Sequence, residues 1–436
     1  MDAVQCRKTL GSFGESSSAF RILEGTAGIL APVEAGNNIF DLLIVGAGPA
    51  GSFAAELLAK GGARVALFDG RPEGEPKACG GGVTAKALKA WPQLLNAVGR
   101  TIDELDLYSP SSKKLHLELD EPFAIYSRIA FDCYLRERAR DTGAQIVSEK
   151  ISARKVKRTK GGWRVTAESS AEWTGSILIG ADGANSGIAK MLAGKLPPSD
   201  MEVAFGYRAP LPANGSAPAV VAFLPGWVGY AWAFPRPDHI SFGIATTQDA
   251  FKHEPLDDLL WRFMIGYYHQ CEGAQVNFWK IDATKTAHIR AHLDATAERY
   301  AARIPGLAAE TWDHRTVCGD DWALLGDAAG FADPVTGEGI YYALRSAELL
   351  AHAYLTGDFN SYEARWRADF GAELRRAAQM RPRFYGNFWG APFTERMIEF
   401  ARGHRGVKRV LGDLVAGEQG YTDLKKKLVK SALRPV

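Results

Sequence analysis

Residues 39–70 read IFDLLIVGAGPAGSFAAELLAKGGARVALFDG. A short, mainly apolar run leads into Gly46-x-Gly48-x-x-Gly51. A helical pattern follows from about Pro49 to Lys60 and stops at Gly61-Gly62. A second apolar run then ends at Asp69. The stretch predicts a buried strand, a tight glycine turn, a helix and a second strand. Each glycine has its own task in such a corner. Gly46 permits the turn, Gly48 lets a pyrophosphate approach the backbone, and Gly51 lets helix and strand pack closely. Ala50 belongs to the same phosphate-facing turn. The helix N-terminus offers unpaired N–H groups and a positive dipole end. Asp69 stands about 20 residues on, where a carboxylate accepts hydrogen bonds from ribose hydroxyls.

The whole chain has 436 residues, 46% hydrophobic and 23% charged, which suits two or three packed units and excludes a disordered or fibrous chain. Lys+Arg is 52 against Asp+Glu 50, a net charge of +2, so no nucleic-acid partner is expected. Five cysteines, Cys6, Cys79, Cys133, Cys271 and Cys318, are scattered without a C-x-x-C pair. That pattern predicts no disulfide framework and a reducing, cytoplasmic setting. No apolar run approaches the ~18 residues of a membrane span, so any membrane contact would be peripheral. His288 and His292 stand at i, i+4, but no carboxylate follows in a metalloprotease order, and no metal is expected. A monomer is favoured.

The fold class expected is α/β, α+β overall: a Rossmann-like nucleotide domain, a β-sheet substrate domain and a helical C-terminal region. Residues 1–38 read as a peripheral or poorly ordered extension. The nucleotide domain takes 39–110, 125–200 and 318–361, with KGGWRVTAES and EWTGSILIGADG as strands of a small meander. The substrate domain takes 111–124 and 201–317. Residues 362–436 read as helix throughout.

Two further stretches place single aspartates among small residues. One is Gly180-Ala181-Asp182-Gly183-Ala184-Asn185-Ser186; the other is Gly326-Asp327-Ala328-Ala329-Gly330, continuing to Gly337-Glu338-Gly339-Ile340. Such stretches let backbone and carboxylate reach a polyol chain, and Gly337 to Ile340 can open a helix toward an anion. The three motifs, in this order, resemble the FAD-dependent hydroxylase superfamily of the p-hydroxybenzoate hydroxylase type. Arg128, in SRIAFDCYL, matches that superfamily's R-x-x-F/L-D-x-x-L arginine, which lies along the FAD. Ile151 is counted with the cofactor residues. The resemblance spans about Phe40 to Ala351 and implies FAD. Only one glycine corner exists, so NADPH, or another electron donor, would visit without a Rossmann domain of its own.

Glu75-Pro76-Lys77-Ala78-Cys79-Gly80-Gly81-Gly82-Val83-Thr84 resembles the P-x-K-x-C-G-G-G stretch of geranylgeranyl reductases, and it adds Gly80, Gly81 and Gly82 to the cofactor set. Tyr230-Ala231-Trp232-Ala233-Phe234-Pro235 resembles their P-x-x-Y-x-W-x-F-P motif, with Trp227 where the first proline would stand. Alternating residues share one face of a strand, so Tyr230, Trp232 and Phe234 would make a flat apolar wall. Trp227 and Phe234 are expected to line the substrate. Cys79, Tyr230 and Trp232 are the catalytic candidates, with Cys79 as proton donor or gate. The resemblance implies reduction of isolated C=C bonds in a polyprenyl lipid by hydride from reduced flavin. Two alternatives stay open: a flavin monooxygenase or halogenase, and a prenyl carrier without catalysis. The basic C-terminal residues Arg375, Arg376, Arg381, Arg383, Arg402, Arg405, Lys408, Arg409, Lys425, Lys426 and Lys427 would meet lipid headgroups or a diphosphate.

Overall fold

The computed structural model describes residues 38–432 apart from 73, 76, 214, 248–254 and 389. The expected N-terminal extension therefore lies outside the described residues, Asn38 excepted.

β1 (Ile39–Val45) runs through the glycine turn into α1 (Pro49–Lys60), and β2 (Val65–Phe68) lies parallel to β1 with Leu42 opposite Val65. Both strands are apolar on both faces because helices cover the sheet from each side. β3 (Gly82–Val83), β4 (Gly99–Tyr108) and β5 (Lys114–Tyr126) leave this sheet. α2 (Arg128–Asp141) brings the chain back, and β6 (Gln145–Val147) pairs with β2. β7 (Val156–Thr159) and β8 (Gly162–Thr166) form a hairpin on β9 (Glu172–Gly180). β9 itself runs parallel to β1, Val45 opposite Gly180. The expected meander is present as β7-β8-β9, and its last strand is also a central strand of the sheet, its ILIG end being the apolar run such a position needs. After α3 (Gly187–Leu192) the chain enters the second sheet.

That sheet contains β10 (Met201–Ala209), β11 (Val220–Phe223), β12 (Gly229–Pro235) and β13 (Ile240–Thr247), followed after α4 (Leu256–Cys271) by β14 (Glu298–Pro305). Its order is β14-β10-β13-β12-β11-β4-β5-β3. The boundary expected at residue 110 therefore moves back, since all of β4 pairs with β5 and β11. The bulge at Ile102–Glu104 broke the alternation that would have shown this. β15 (Cys318–Gly319) and β16 (Trp322–Leu324) return to the first sheet, whose order is β15-β16-β9-β1-β2-β6. α5 (Ile340–Leu355) packs on α1, and α6 (Ala372–Phe384), α7 (Phe393–Gly403) and α8 (Arg405–Val415) follow. A short strand pair, Asn387–Phe388 with Ala391–Pro392, interrupts the expected all-helical end.

The second sheet uses its two faces differently. Ala231 and Ala233 face α4 and its aromatic core of Phe242, Phe263 and Tyr267. Tyr230, Trp232 and Phe234 point the other way. The C-terminal helices close a third core over β4 and β5, with Leu117, Ile125, Ile398 and Leu411 fully or almost fully buried. Cys79, Cys271 and Cys318 carry free thiols. Among the described residues no helix is long and apolar enough to cross a membrane.

Candidate functional site

The three glycines of the corner divide their work as the spacing predicts. Gly46 has φ +108°, and a Cβ there would overlap the Ala181 carbonyl. A Cβ on Gly51 would overlap the carbonyl of Gly46. Both serve the packing of β1, α1 and the turn after β9. Gly48 differs: a Cβ there would meet only Lys77 Nζ, at 3.9 Å. The space before the α1 N-terminus is therefore open except for one ammonium group. A helix N-terminus and an ammonium repel each other, and an anion between them satisfies both. Ala50 borders Gly326, whose Cβ would sit 3.2 Å from it, so the corner and the Gly326–Asp327 turn adjoin.

Lys77 belongs to a wider charge cluster. Arg128 is buried and grips Asp132 with two bonds, Nε to Oδ1 at 2.9 Å and Nη2 to Oδ2 at 3.0 Å. Arg71 reaches the same carboxylate at 3.1 Å. Burial opposes the charge on Asp132, but Arg128, Lys77 and Arg71 together hold its carboxyl below its ordinary value. The charge of Arg128, with burial, pulls Lys77 below its ordinary value. Asp132 belongs to the same motif as Arg128, and its i, i+4 distance on a helix is the sequence signal for this pair. Asp69 is not the free acceptor expected. Arg136 pairs with it at 3.0 Å and the Arg71 N–H donates to it at 3.2 Å, though a carboxylate keeps further lone pairs for a ribose. Ile151 packs at the margin of the first core, in the loop where Lys150 backs Gly70, next to Asp69.

Asp182 is a correction. Its carboxylate accepts from Ser186 Oγ, Gly187 N at 2.8 Å and Ile188 N at 3.2 Å. It is committed to its own loop and the start of α3, so the polyol-facing role expected of the side chain is not what the geometry offers. Burial raises the Asp182 carboxyl, against these bonds. Asp327 stays available. With Asn185, Ser186, Arg303 and Arg315 it lines a cavity of about 200 Å³, and a Cβ on Gly339 would lie 3.0 Å from its Oδ1. The Asp333–Gly339 loop that follows is pinned from within. Asp333 accepts from Val335 N at 2.8 Å, and Tyr421 donates to its other oxygen at 2.8 Å. Ile340 opens α5 behind Gly337 and Gly339.

The aromatic wall meets that loop directly. Tyr230 donates to the Thr336 carbonyl, and a Cβ on Gly337 would lie 3.4 Å from its hydroxyl. Burial pushes the Tyr230 phenol up, so it stays protonated. Trp232 lies flat because the facing residue is Gly243, where a Cβ would fall inside the indole. Phe234 packs against Phe123 with ring centres 6.0 Å apart. The Cys79–Gly82 loop runs along this wall: a Cβ on Gly80 would stand 3.2 Å from both Trp232 and Phe234. Cys79 Sγ accepts from Gly81 N at 3.3 Å. Trp227 is a second correction. The turn at Pro225-Gly226 delivers its indole to the α4 face, where it joins the buried core on the opposite side of the sheet.

Sequence reading missed Arg236. It is 3% exposed, and its Nη2 donates to the Cys79 and Gly80 carbonyls at 2.8 and 3.1 Å. The signal was present: Arg236 continues the alternation of Tyr230, Trp232 and Phe234. Burial lowers its guanidinium from its ordinary value, and Nε has no partner. Four of the eleven basic C-terminal residues named above are paired: Arg375 with Asp313, Arg381 with Glu202, Arg409 with Asp120 and Lys427 with Asp423. His288 pairs with Glu272 at 3.1 Å, and no metal-holding cluster exists among the described residues.

Comparison with known proteins matches residues 40–355 to the FAD binding domain family. The chain is 27% identical over 368 residues to geranylgeranyl diphosphate reductase of Rhodobacter capsulatus, covering 79% of this chain and 84% of that protein. It is 28% identical to the chloroplastic geranylgeranyl diphosphate reductase of rice, covering 73% of this chain but only 66% of the rice protein's length. It is 26% identical to digeranylgeranylglycerophospholipid reductase of Methanosarcina acetivorans, covering 77% and 83%. Among solved structures, a geranylgeranyl bacteriochlorophyll reductase-like protein from Thermoplasma acidophilum shares the fold with a TM-score of 0.68 at 20% identity, covering 91% of this chain and all of that one. A flavin-dependent brominase shares it with a TM-score of 0.63 at 17% identity, covering 90% and 98%.

Proposed function

This chain belongs to the FAD binding domain family, and from that premise we propose that it is an FAD-dependent oxidoreductase that reduces isolated C=C bonds of a polyprenyl chain. The observation that carries the reading is the junction of the Tyr230–Trp232–Phe234 wall with the Thr336–Gly337 loop and the Cys79–Gly82 loop. An apolar wall there suits a hydrocarbon chain, each CH₂ removed from water contributing about 0.8 kcal/mol. The names of the curated relatives support the same substrate class.

The residues fit FAD. The open space at Gly48, faced by Lys77 and the α1 N-terminus, suits a pyrophosphate. Asp69 offers lone pairs toward a ribose, and Asp327 remains for a ribityl chain. Bound there, FAD supplies the hydride. The chain's own tasks are to hold the alkene against the wall, exclude water and deliver a proton to the second carbon. Cys79 and Tyr230 are the groups at that junction with a proton to give. Tyr230 is hydrogen-bonded to Thr336, which makes Cys79 the freer donor and Tyr230 the positioning group. The electron donor is NADPH or another reductant. Contact with a membrane surface, if the substrate is a membrane lipid, would fall to the C-terminal helices.

The test is anaerobic. The FAD-loaded protein is reduced with dithionite, given geranylgeranyl diphosphate, and followed by flavin reoxidation beside product mass. Two hydrogens gained per reduced bond support the proposal. A flavin that stays reduced with every prenyl lipid, yet reoxidises in O₂ with an oxygenated or halogenated product, replaces it with monooxygenase or halogenase chemistry. Cys79→Ser should keep FAD and slow the alkene step; equal turnover would leave Cys79 a structural role.

A further inference from the structure

A second cavity lies between the N-terminus of α2 and the ends of β10, β12 and β14. It measures about 410 Å³, within the ~300–1,000 Å³ of ordinary small-molecule sites. Lys77, Arg128, Arg208, Arg236 and His239 line it, with Asp238 and Glu298 as its acids. The charges do not cancel. Asp132 neutralises Arg128 from outside the cavity. Asp238 is bonded to His239 at 2.8 Å. Glu298 is 77% exposed and only 3.9 Å from Arg208, a loose pair. Lys77 faces the FAD pyrophosphate proposed above, which leaves Arg236 as the buried cation without an ion-pair partner among the described residues, and Arg236 spends its donors on carbonyls and His239 with Nε left over. Burying uncompensated positive charge costs free energy unless an anion joins it.

We propose that this cavity binds the pyrophosphate group of a ligand whose remainder extends along the aromatic wall. The inference rests on the oxidoreductase reading above and adds a recognition element for an anionic group beside the aromatic wall. Arg236 fixes the direction. It touches the carbonyls of Cys79 and Gly80, and Gly80 abuts Trp232 and Phe234, so an anion beside Arg236 has the wall within reach of whatever it carries. Arg208 is the adjustable member: its side chain is 21% exposed and rests near the Tyr300 ring, free to swing onto a phosphate. Two ligands of this chemistry fit an oxidoreductase of this kind, a nicotinamide dinucleotide and a prenyl diphosphate.

The test uses the full-length, FAD-loaded protein titrated calorimetrically with inorganic pyrophosphate, a readout that needs no turnover and so stands apart from alkene reduction. Arg208→Gln should weaken binding by about tenfold, the loss of one charge-assisted contact. Arg208→Lys, which keeps the charge, should lose less, and both variants should keep their FAD. Arg164→Gln, an exposed arginine on β8, should bind as the unaltered protein does. Absence of pyrophosphate binding, or equal effects of Arg208→Gln and Arg164→Gln, overturns the proposal. Competition then identifies the source. Displacement by NADPH, with an Arg208→Gln shift in the NADPH needed for half-maximal flavin reduction, assigns the dinucleotide. Displacement by geranylgeranyl diphosphate, with the matching shift in reoxidation of dithionite-reduced enzyme, assigns the prenyl substrate. Failure of both to displace pyrophosphate also overturns it.

Discussion

Replacing Arg236 with methionine tests whether the wall and the Cys79–Gly82 loop are one unit. Methionine fills much of the same volume but donates nothing. Two charge-assisted bonds, to the carbonyls of Cys79 and Gly80, are lost. At about 1.5–3 kcal/mol each, their gross loss is about 3–6 kcal/mol. Against this stands relief of a buried guanidinium whose Nε has no partner, about 1–3 kcal/mol. The loop should therefore be held less firmly by about 3 kcal/mol, roughly a hundredfold in its opening equilibrium. Cys79 reports that opening. It is the natural probe because burial pushes the other free thiols up, Cys271 to about 11 and Cys318 to about 12, which keeps them unreactive. Alkylation of the flavin-free protein, read peptide by peptide by mass spectrometry, should be about a hundredfold faster at Cys79 in Arg236→Met. Arg236→Lys should fall between, since an ammonium keeps the charge without the planar fork. An unchanged Cys79 rate in Arg236→Met would refute the reasoning and leave Arg236 a bystander to the loop.

Other perturbations separate roles within the cofactor corner and its neighbours. Gly51→Ala should not fold normally, whereas Gly48→Ala should give a native circular dichroism spectrum but lose about tenfold or more in FAD affinity, because only the second places its methyl in the open space before α1. Asp182→Ala should cost about 1–3 kcal/mol in urea unfolding through the lost bonds to Ser186, Gly187 and Ile188, with similar effects on the FAD-free and FAD-loaded protein; a loss confined to FAD affinity would restore the cofactor role. Burial pushes the Glu338 carboxyl from its ordinary 4.5 up to about 7, despite the bond from Thr84 and with Asp333 adding to the rise. Because the folded value lies above the unfolded one, this group's contribution to stability is complete below about pH 4.5 and disappears as pH rises through 7. Urea unfolding of the flavin-free chain should show the decline, Glu338 contributing at most about 3 kcal/mol of it, and Glu338→Gln should make it shallower, the remainder coming from Glu202, which burial also pushes up to about 7; identical slopes would contradict the assignment.

The corner at Gly46–Gly51 was legible because steric necessity writes it into spacing: two of the three glycines sit where any Cβ meets backbone. The Tyr230–Phe234 wall was legible because strand alternation is a two-residue code. Asp182 was not, since a carboxylate that caps its own loop and one that faces a ligand have the same neighbours in sequence. Trp227 failed for a related reason. It stands beyond the strand, and a single left-handed glycine at Gly226 decides which face receives its ring. Lys77, Arg128 and Arg236 come from three separate stretches of the chain and meet only around one cavity, so their joint charge had no local signature. The place of β4 was hidden by its bulge and by the return of the chain to the first sheet immediately after β5.

The bond from Tyr421 to Asp333 ties the far end of the chain to the loop beneath the aromatic wall. During synthesis the glycine corner emerges first and can fold with its neighbours, but the Asp333–Gly339 loop lacks its clamp until more than four hundred residues have been made. Cofactor capture should then be a late event, completed after the C-terminal helices have closed over β4 and β5. A chain ended after Val415 would keep its first sheet yet retain little flavin, and a version of that chain that purifies fully yellow would show the clamp to be dispensable.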